Sequence, residues 1–253
     1  MKIPSKTTHS LSLLCWAYNE EENVEAFLAK SLKDLERVCD DFEIVIIDDG
    51  STDRTAELVK KFASQDHRIR LIQHPRNLNV GACTKTAIKA ASKEILFWNT
   101  VDNSYDTADL DRPLAYLDSY DIVQRVRIGG GSDNRWKKFV SRVNYWLIRL
   151  LSGVPLTDFQ NCTFHRSQAV KALKLESNSS VINPEMLIKR YYQGARIKEV
   201  PIKFTPRQKG EAKGTKWRFL LRSASQVLWY VPRWRLAGLI KGRPGKVSRY
   251  WED

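Results

Sequence analysis

A chain of 253 residues with 42% hydrophobic content can bury one sizeable core, or one domain with an appended segment. Its opening segment, MKIPSKTTHS, lacks the apolar run of a secretory leader, and nowhere do about 18 uninterrupted apolar residues predict a membrane-spanning helix. Cys15, Cys39, Cys83 and Cys162 are scattered without a CxxC pair, which argues against a zinc site or a disulfide framework and for reduced thiols in a cytosolic protein. The net charge of +13 is uneven: residues 1–120 hold 15 Lys and Arg against 20 Asp and Glu, and residues 121–253 hold 27 against 9. An acidic half beside a basic half implies two surfaces with different partners. Nucleic acid, an anionic membrane and a phosphorylated substrate all suit the basic one.

The first half alternates short apolar runs with helical patterns. Strands are expected at Leu11–Trp16, Phe42–Ile47, Ile69–Gln73 and Ile95–Trp98. Helices are expected at Glu21–Val38, at Ser51–Phe62 with Ser51 as N-cap, and at Gly81–Ala91. This alternation predicts a parallel sheet covered on both faces, with ligands bound beyond the carboxyl ends of the strands. The second half is less regular. It reads as a strand at Asp121–Ile128, a basic amphipathic helix at Trp136–Leu151 and a short strand at Cys162–His165. A helix from Ser167, another at Pro184–Gln193 and a strand at Ile197–Phe204 follow. A Gly/Lys-rich loop then leads to a second basic amphipathic helix, Trp217–Tyr230, and the tail from Lys241 is expected to be mobile.

The polar residues that follow the strands are the candidates for chemistry. Asp48 and Asp49 end the run FEIVII, and two adjacent carboxylates cannot both enter the core unpaired, which turns one of them toward the ligand crevice. Asp102 lies just past the strand ending at Trp98. A carboxylate there suits a hard divalent cation that also touches diphosphate oxygens.

These segments occur together and in order. AYNEEEN (17–23), VIIDDGSTDRT (45–55), RNLNVGACTKTAIKAA (76–91), FWNTVDNSYDTADL (97–110), VPLTDFQNCTFHR (154–166), PEMLIKRYYQGARIKEVPI (184–202) and PRQKGEAKGTK (206–216) resemble glycosyltransferase family 2. Within it they resemble the dolichyl-phosphate mannose synthase-like, polyprenyl-phosphate branch, over roughly residues 10–220. The resemblance implies an α/β GT-A fold over residues 1–215, mostly parallel with helices on both faces, followed by a membrane-associating segment, 216–253. It implies that Tyr18, Glu20 and Asp49, with Asp48, hold the base and ribose of a GDP- or UDP-linked sugar. Lys85, Thr100 and Val101 are further donor-side candidates. Asp102 would hold Mg²⁺ or Mn²⁺, and Arg207 would close a loop over the donor. Arg127, Lys137 and Ser141 would grip a lipid phosphate, with Asp158 near the acceptor. Trp16, Asn79 and Thr100 depart from the family pattern. Thr100 matters most, because it replaces the first aspartate of the D-x-D pair and leaves one carboxylate where the family has two.

The basic half then gains a use. A helix mixing Trp217, Arg222, Trp229, Arg233, Trp234 and Arg235 suits a membrane interface with tryptophan at headgroup level, and one mixing Trp136, Lys137, Trp146 and Arg149 suits either that interface or packing of its apolar side on the sheet with its charges in solvent. Such residues also suit single-stranded nucleic acid, but no nucleic-acid module accompanies them, and none is expected as a partner. The expected activity is inverting transfer of a sugar to polyprenyl phosphate, on the cytoplasmic face of the membrane in cell-envelope synthesis. Two alternatives stand beside it: transfer to a saccharide hydroxyl, and a non-catalytic nucleotide-sugar-binding relative.

Overall fold

The computed structural model describes residues 6–101, 109–128, 135–203 and 217–251, with side chains described for all of these except 128, 135–140, 203 and 217–223. Strands β1 (Leu11–Ala17), β2 (Phe42–Asp48), β3 (Ile69–Gln73) and β4 (Ile95–Trp98) are parallel. They are joined by α1 (Val24–Val38), α2 (Thr55–Gln65) and α3 (Val80–Ala90). After α4 (Asp111–Leu114) come β5 (Ile122–Ile128), α5 (Arg135–Ser152), β6 (Thr163–Arg166), α6 (Ser167–Lys171) and α7 (Ile182–Tyr192). The chain ends with β7 (Arg196–Lys203), α8 (Trp217–Lys241) and β8 (Lys246–Ser248). The eight strands form one sheet in the order β3-β2-β1-β4-β6-β5-β7-β8.

β6 pairs antiparallel with both β4 and β5, so β5, β7 and β8 run in the same direction as the first four strands. The carboxyl ends of β1, β2, β4, β5 and β7 therefore share one edge. The register places Ala17 beside Asp48 and Leu14 beside Trp98, which brings the polar residues that follow β1, β2 and β4 to one place.

Alternate residues of the central strands feed two cores, as the period of two demands. Leu13, Cys15, Ile44, Ile46 and Phe97 face Phe27 and Leu28 of α1, with Phe97 stacked on Phe164 at 4.6 Å. Leu14, Val45, Ile47 and Trp98 face Cys83 and Ala87 of α3 and Met186 of α7. A third cluster joins Ile148 of α5, Leu187 of α7 and Val227, Val231 and Trp234 of α8.

Three local expectations are revised. Ser51 does not cap α2, which begins at Thr55; its hydroxyl instead accepts the N–H of Asn19 at 2.9 Å. α8 continues past Tyr230 to Lys241 with Pro232 inside it, because Val231 and Trp234 bury against α7 and outweigh the local preference. The tail is not free from Lys241 onward: Lys246–Ser248 extends the sheet beside β7. The boundary expected at residue 215 falls outside the described residues.

The close approach of the two helices depends on glycine. A Cβ at Gly242, just past α8, would lie 1.9 Å from the carbonyl oxygen of Tyr192, and one at Gly238 would lie 2.4 Å from the Tyr192 ring. Gly242→Ala is expected to lift the end of α8 and cost about 1–3 kcal/mol, the range for overpacking. Urea unfolding would measure it, and an unchanged midpoint would remove this contact from the account.

Candidate active-site crevice

The residues expected on the donor side lie in the turns after β1 and β2. Asn19 takes a left-handed conformation (φ 53°), and its side-chain oxygen accepts the N–H of Thr52 at 2.9 Å. The N–H of Glu20 donates to the Thr55 hydroxyl at 2.9 Å, and that of Glu21 to the Asp53 carboxylate at 3.2 Å. The segment after Tyr18 is thus fastened to the segment after Asp49, and the side chain of Glu20 accepts a hydrogen bond from Asn23 at 2.8 Å.

Both carboxylates of the DDGS segment, one of which was expected to face the crevice, are buried. Each is met by hydrogen-bond donors, which offset the cost that argued for exposure. Asp48 accepts the N–H of Ser51 at 3.1 Å and the Gln73 amide at 3.2 Å. Asp49 accepts the N–H groups of Leu78 at 2.9 Å and Asn79 at 3.0 Å, and lies 2.8 Å from Nδ1 of His74. Nε2 of His74 reaches the Thr86 hydroxyl at 3.0 Å, which orients the ring.

His74 opens the polar segment 74–79 that follows β3 and so is among the post-strand candidates, whereas Cys83 stands out only as a scattered thiol, since only the fold joins the end of β3 to α3. With Asp49 they bring three ligand atoms within 4.8 Å of one another. Two facts favour a hydrogen-bonded floor over a soft-metal site. Asp49 is already engaged by backbone donors, and burial, with the Asp49 charge next, pushes the Cys83 thiol far above its ordinary pKa.

Past β4, Val101 is buried and the backbone N–H of Thr100 donates to the Asn99 side chain at 2.9 Å. Among the described residues, the buried Thr100 hydroxyl oxygen has no hydrogen-bond partner. Asp102 and Arg207 lie outside the described residues. Lys85 donates to the Asn178 side chain at 2.7 Å, tying α3 to the turn before α7.

The residues expected on the acceptor side lie across the sheet, at the end of β5 and just before β6. Arg127 at the end of β5 donates to the Tyr145 hydroxyl at 2.5 Å, and its Nε is 3.5 Å from Asp158. Asp158 also accepts the N–H of Gln160 at 2.8 Å and the side-chain amide of Asn161. Ser141 is exposed on α5, one turn before Tyr145. Lys137 lies a turn earlier still, with its side chain outside the described set. Tyr145 of α5 thus holds Arg127 in place. Beneath the cluster, Glu199 of β7 is buried and accepts the Thr157 hydroxyl at 2.8 Å.

Burial raises the Asp158 carboxyl above the ordinary carboxylate range, against the opposing pull of Arg127 and of hydrogen bonds from Gln160 and Tyr145. Because its folded pKa is raised, the fold gains stability as pH falls through that value and carries the ionised carboxylate as a cost above it. Asp158→Asn is therefore expected to raise the melting temperature at neutral pH, with the advantage shrinking as the pH is lowered through the raised value. A variant less stable than wild type at neutral pH would contradict this.

The chain matches known proteins in sequence and in fold. Residues 12–171 match the profile of Glycosyl transferase family 2. Glycosyltransferase AglD of Haloferax volcanii is 30% identical over 238 residues, covering 86% of this chain and 36% of its own length. The chain thus spans about a third of that relative. A dolichyl-phosphate hexose transferase of the same organism is 27% identical over 212 residues, covering 82% of this chain and 87% of its own. Glucosyl-3-phosphoglycerate synthase of Mycobacterium tuberculosis, solved with Mn²⁺, UDP-glucose and phosphoglyceric acid, superposes with a TM-score of 0.65. It does so at 17% identity over 95% of this chain and 88% of its own. That likeness bears on the fold, and it agrees with the GT-A arrangement expected from the sequence. The chain belongs to glycosyltransferase family 2.

Proposed function

We propose that this protein transfers a sugar from a nucleoside-diphosphate sugar to a polyprenyl phosphate at a membrane surface. The observation that carries the reading is the Arg127–Tyr145–Asp158 cluster. It presents a guanidinium, oriented by a hydroxyl and a buried carboxyl, across the sheet from the nucleotide-binding turns. A guanidinium fork suits phosphate oxygens. The relatives support the acceptor class, since their names include dolichyl-phosphate and undecaprenyl-phosphate transferases.

On this reading the floor at Asp49 and the linked turns after Tyr18 and Gly50 orient the base and ribose. Thr100 and Asp102 would hold Mg²⁺ or Mn²⁺, and the unpartnered buried hydroxyl oxygen of Thr100 fits that role. Such an ion, when bound, neutralises charge on the diphosphate leaving group. Arg127 positions the acceptor phosphate, whose oxygen is already anionic near neutral pH and attacks without a general base. Attack from the face opposite the leaving group inverts the sugar carbon.

The membrane reading rests on exposed apolar side chains along α5 and α8: Val143, Trp146 and Leu150, then Leu228, Trp229, Leu236, Leu239 and Ile240. Two residues expected to face lipid do not. Trp234 is buried, with its indole N–H donating to Glu176 at 2.6 Å, and Arg235 donates to the carbonyls that end α5. Among the described residues no helix is long and apolar enough to cross a membrane. The membrane contact proposed is peripheral, on the cytoplasmic face.

Three results are expected. Asp102→Ala loses transfer without loss of fold. Asp158→Asn keeps substantial transfer to a polyprenyl phosphate, which needs no base; complete loss in this variant would favour a hydroxyl acceptor with Asp158 as base. In calorimetry, Mn²⁺ binds wild type appreciably only with nucleoside diphosphate present, and Thr100→Asp tightens Mn²⁺ without nucleotide by adding a charged ligand. Equal, tight Mn²⁺ binding by wild type with and without nucleotide would contradict the role given to Thr100.

A further inference from the structure

A cavity of about 580 Å³ lies between the segment after α6, the last turns of α7 and the last turns of α8. It is far from the crevice by topology. α7 ends at Tyr192, just before β7 begins at Arg196, so this end of α7 lies at the amino-terminal edge of the sheet. The substrate-side turns lie at the other edge.

The frame of the cavity is fixed. Trp234 forms a wall, buried and bonded to Glu176, with the Lys189 ammonium 5.4 Å from the centre of its ring. The direct contact of Gly238 with Tyr192 keeps α8 close on α7. The charges in this frame are unbalanced. Lys189 is matched by Glu176 at 3.1 Å and Glu185 at 2.6 Å. Lys174, Arg233 and Lys241 also line the cavity, and none forms a salt bridge among the described residues; the Arg233 guanidinium lies 5.2 Å from the centre of the Trp229 ring, and its charge adds to that of Lys189 in lowering the Glu176 carboxyl. The one acidic lining residue, Glu176, is already taken by Lys189 and the Trp234 indole.

Arg233 adds a second feature. It shares a helix face with Trp229, Leu236 and Ile240, by their spacing, and those three side chains are exposed. An apolar stripe thus runs along the mouth of a cationic cavity. A cavity lined by four cations, Lys174, Lys189, Arg233 and Lys241, against the single carboxylate of Glu176 suits a group that carries its negative charge on several oxygens.

We propose that this cavity is a phosphate-binding site separate from the crevice, with Lys174, Arg233 and Lys241 as its ligands. A soluble phosphate monoester and the headgroup of an anionic phospholipid share that chemistry. The proposal does not depend on the sugar donor or acceptor assigned to the crevice.

The test compares wild type with a cavity variant, Lys174→Gln/Arg233→Gln/Lys241→Gln, and with a control of equal charge change, Lys33→Gln/Lys60→Gln/Lys89→Gln, on exposed helix surface. Circular dichroism establishes that each is folded. The soluble probe is sn-glycerol 3-phosphate, read by the rise in melting temperature it produces. The membrane probe is sedimentation with phosphatidylcholine vesicles containing phosphatidic acid. We expect the cavity variant to lose at least about tenfold in affinity for one of these probes, as the loss of charged hydrogen bonds implies, while the control keeps it. Loss with glycerol phosphate identifies a soluble ligand. Loss with vesicles alone identifies a lipid headgroup. Equal losses in the cavity and control variants, or no loss in the cavity variant with either probe, would overturn the proposal. Should the triple variant fail to fold, Lys174→Glu alone carries the same comparison, because that side chain is exposed.

Discussion

A carboxylate taken out of water must be met by donors, and much of the donor side follows from how Asp49 meets that requirement. Its oxygens accept two successive backbone N–H groups, from Leu78 and Asn79, and face the His74 ring. Those donors exist only if the chain after β3 folds back over the end of β2. The fold-back places Asn79 in a left-handed conformation (φ 73°) at the start of α3. It also brings the backbone of Arg76 so close that a Cβ at Gly50 would lie 2.6 Å from it, where the positive φ of 75° already favours glycine. The turn after β2 is therefore held by β3 and α3 on one side and by the Asn19 and Thr55 links on the other. What binds there meets a rigid floor, which is what orientation of a nucleotide demands.

The parts of the fold written in short-range pattern were legible. FEIVII and ILFW are continuous apolar runs because both faces of the sheet are covered, and the helices between them repeat at helical spacing. The order of polar segments after the strands was also readable, and it led to the family. What was not readable depends on distant partners. His74 and Cys83 become neighbours of Asp49 only through the crossover. Tyr145 becomes a ligand of Arg127 only because α5 returns over β5. The short strand β8 has no apolar signature of its own; it forms because β7 offers it an edge.

The two-signed charge distribution acquires a spatial meaning. The acidic half supplies the buried carboxylates at the end of β2, each met by local hydrogen-bond donors. The basic half supplies Arg127, which the proposed function gives to the acceptor, and the cations of α8. Residues 204–216 join β7 at the crevice edge to α8, and α8 then runs back toward the opposite edge, flanked by α5 and α7. One helix thereby borders an exposed apolar face and lies on the chain path out of the crevice. A lipid acceptor is the substrate for which such an arrangement is useful, since its phosphate must reach the crevice while its tail stays in the bilayer.

The central claim is that the acceptor is a phosphate oxygen. Its most direct measurement is mass spectrometry of the product formed from UDP- and GDP-linked sugars in the presence of Mn²⁺, with a short-chain polyprenyl phosphate and an oligosaccharide offered together. The account predicts a sugar joined to the lipid through a single phosphodiester, with inverted anomeric configuration. A product in which the oligosaccharide has gained the sugar while the lipid phosphate is unchanged would contradict it.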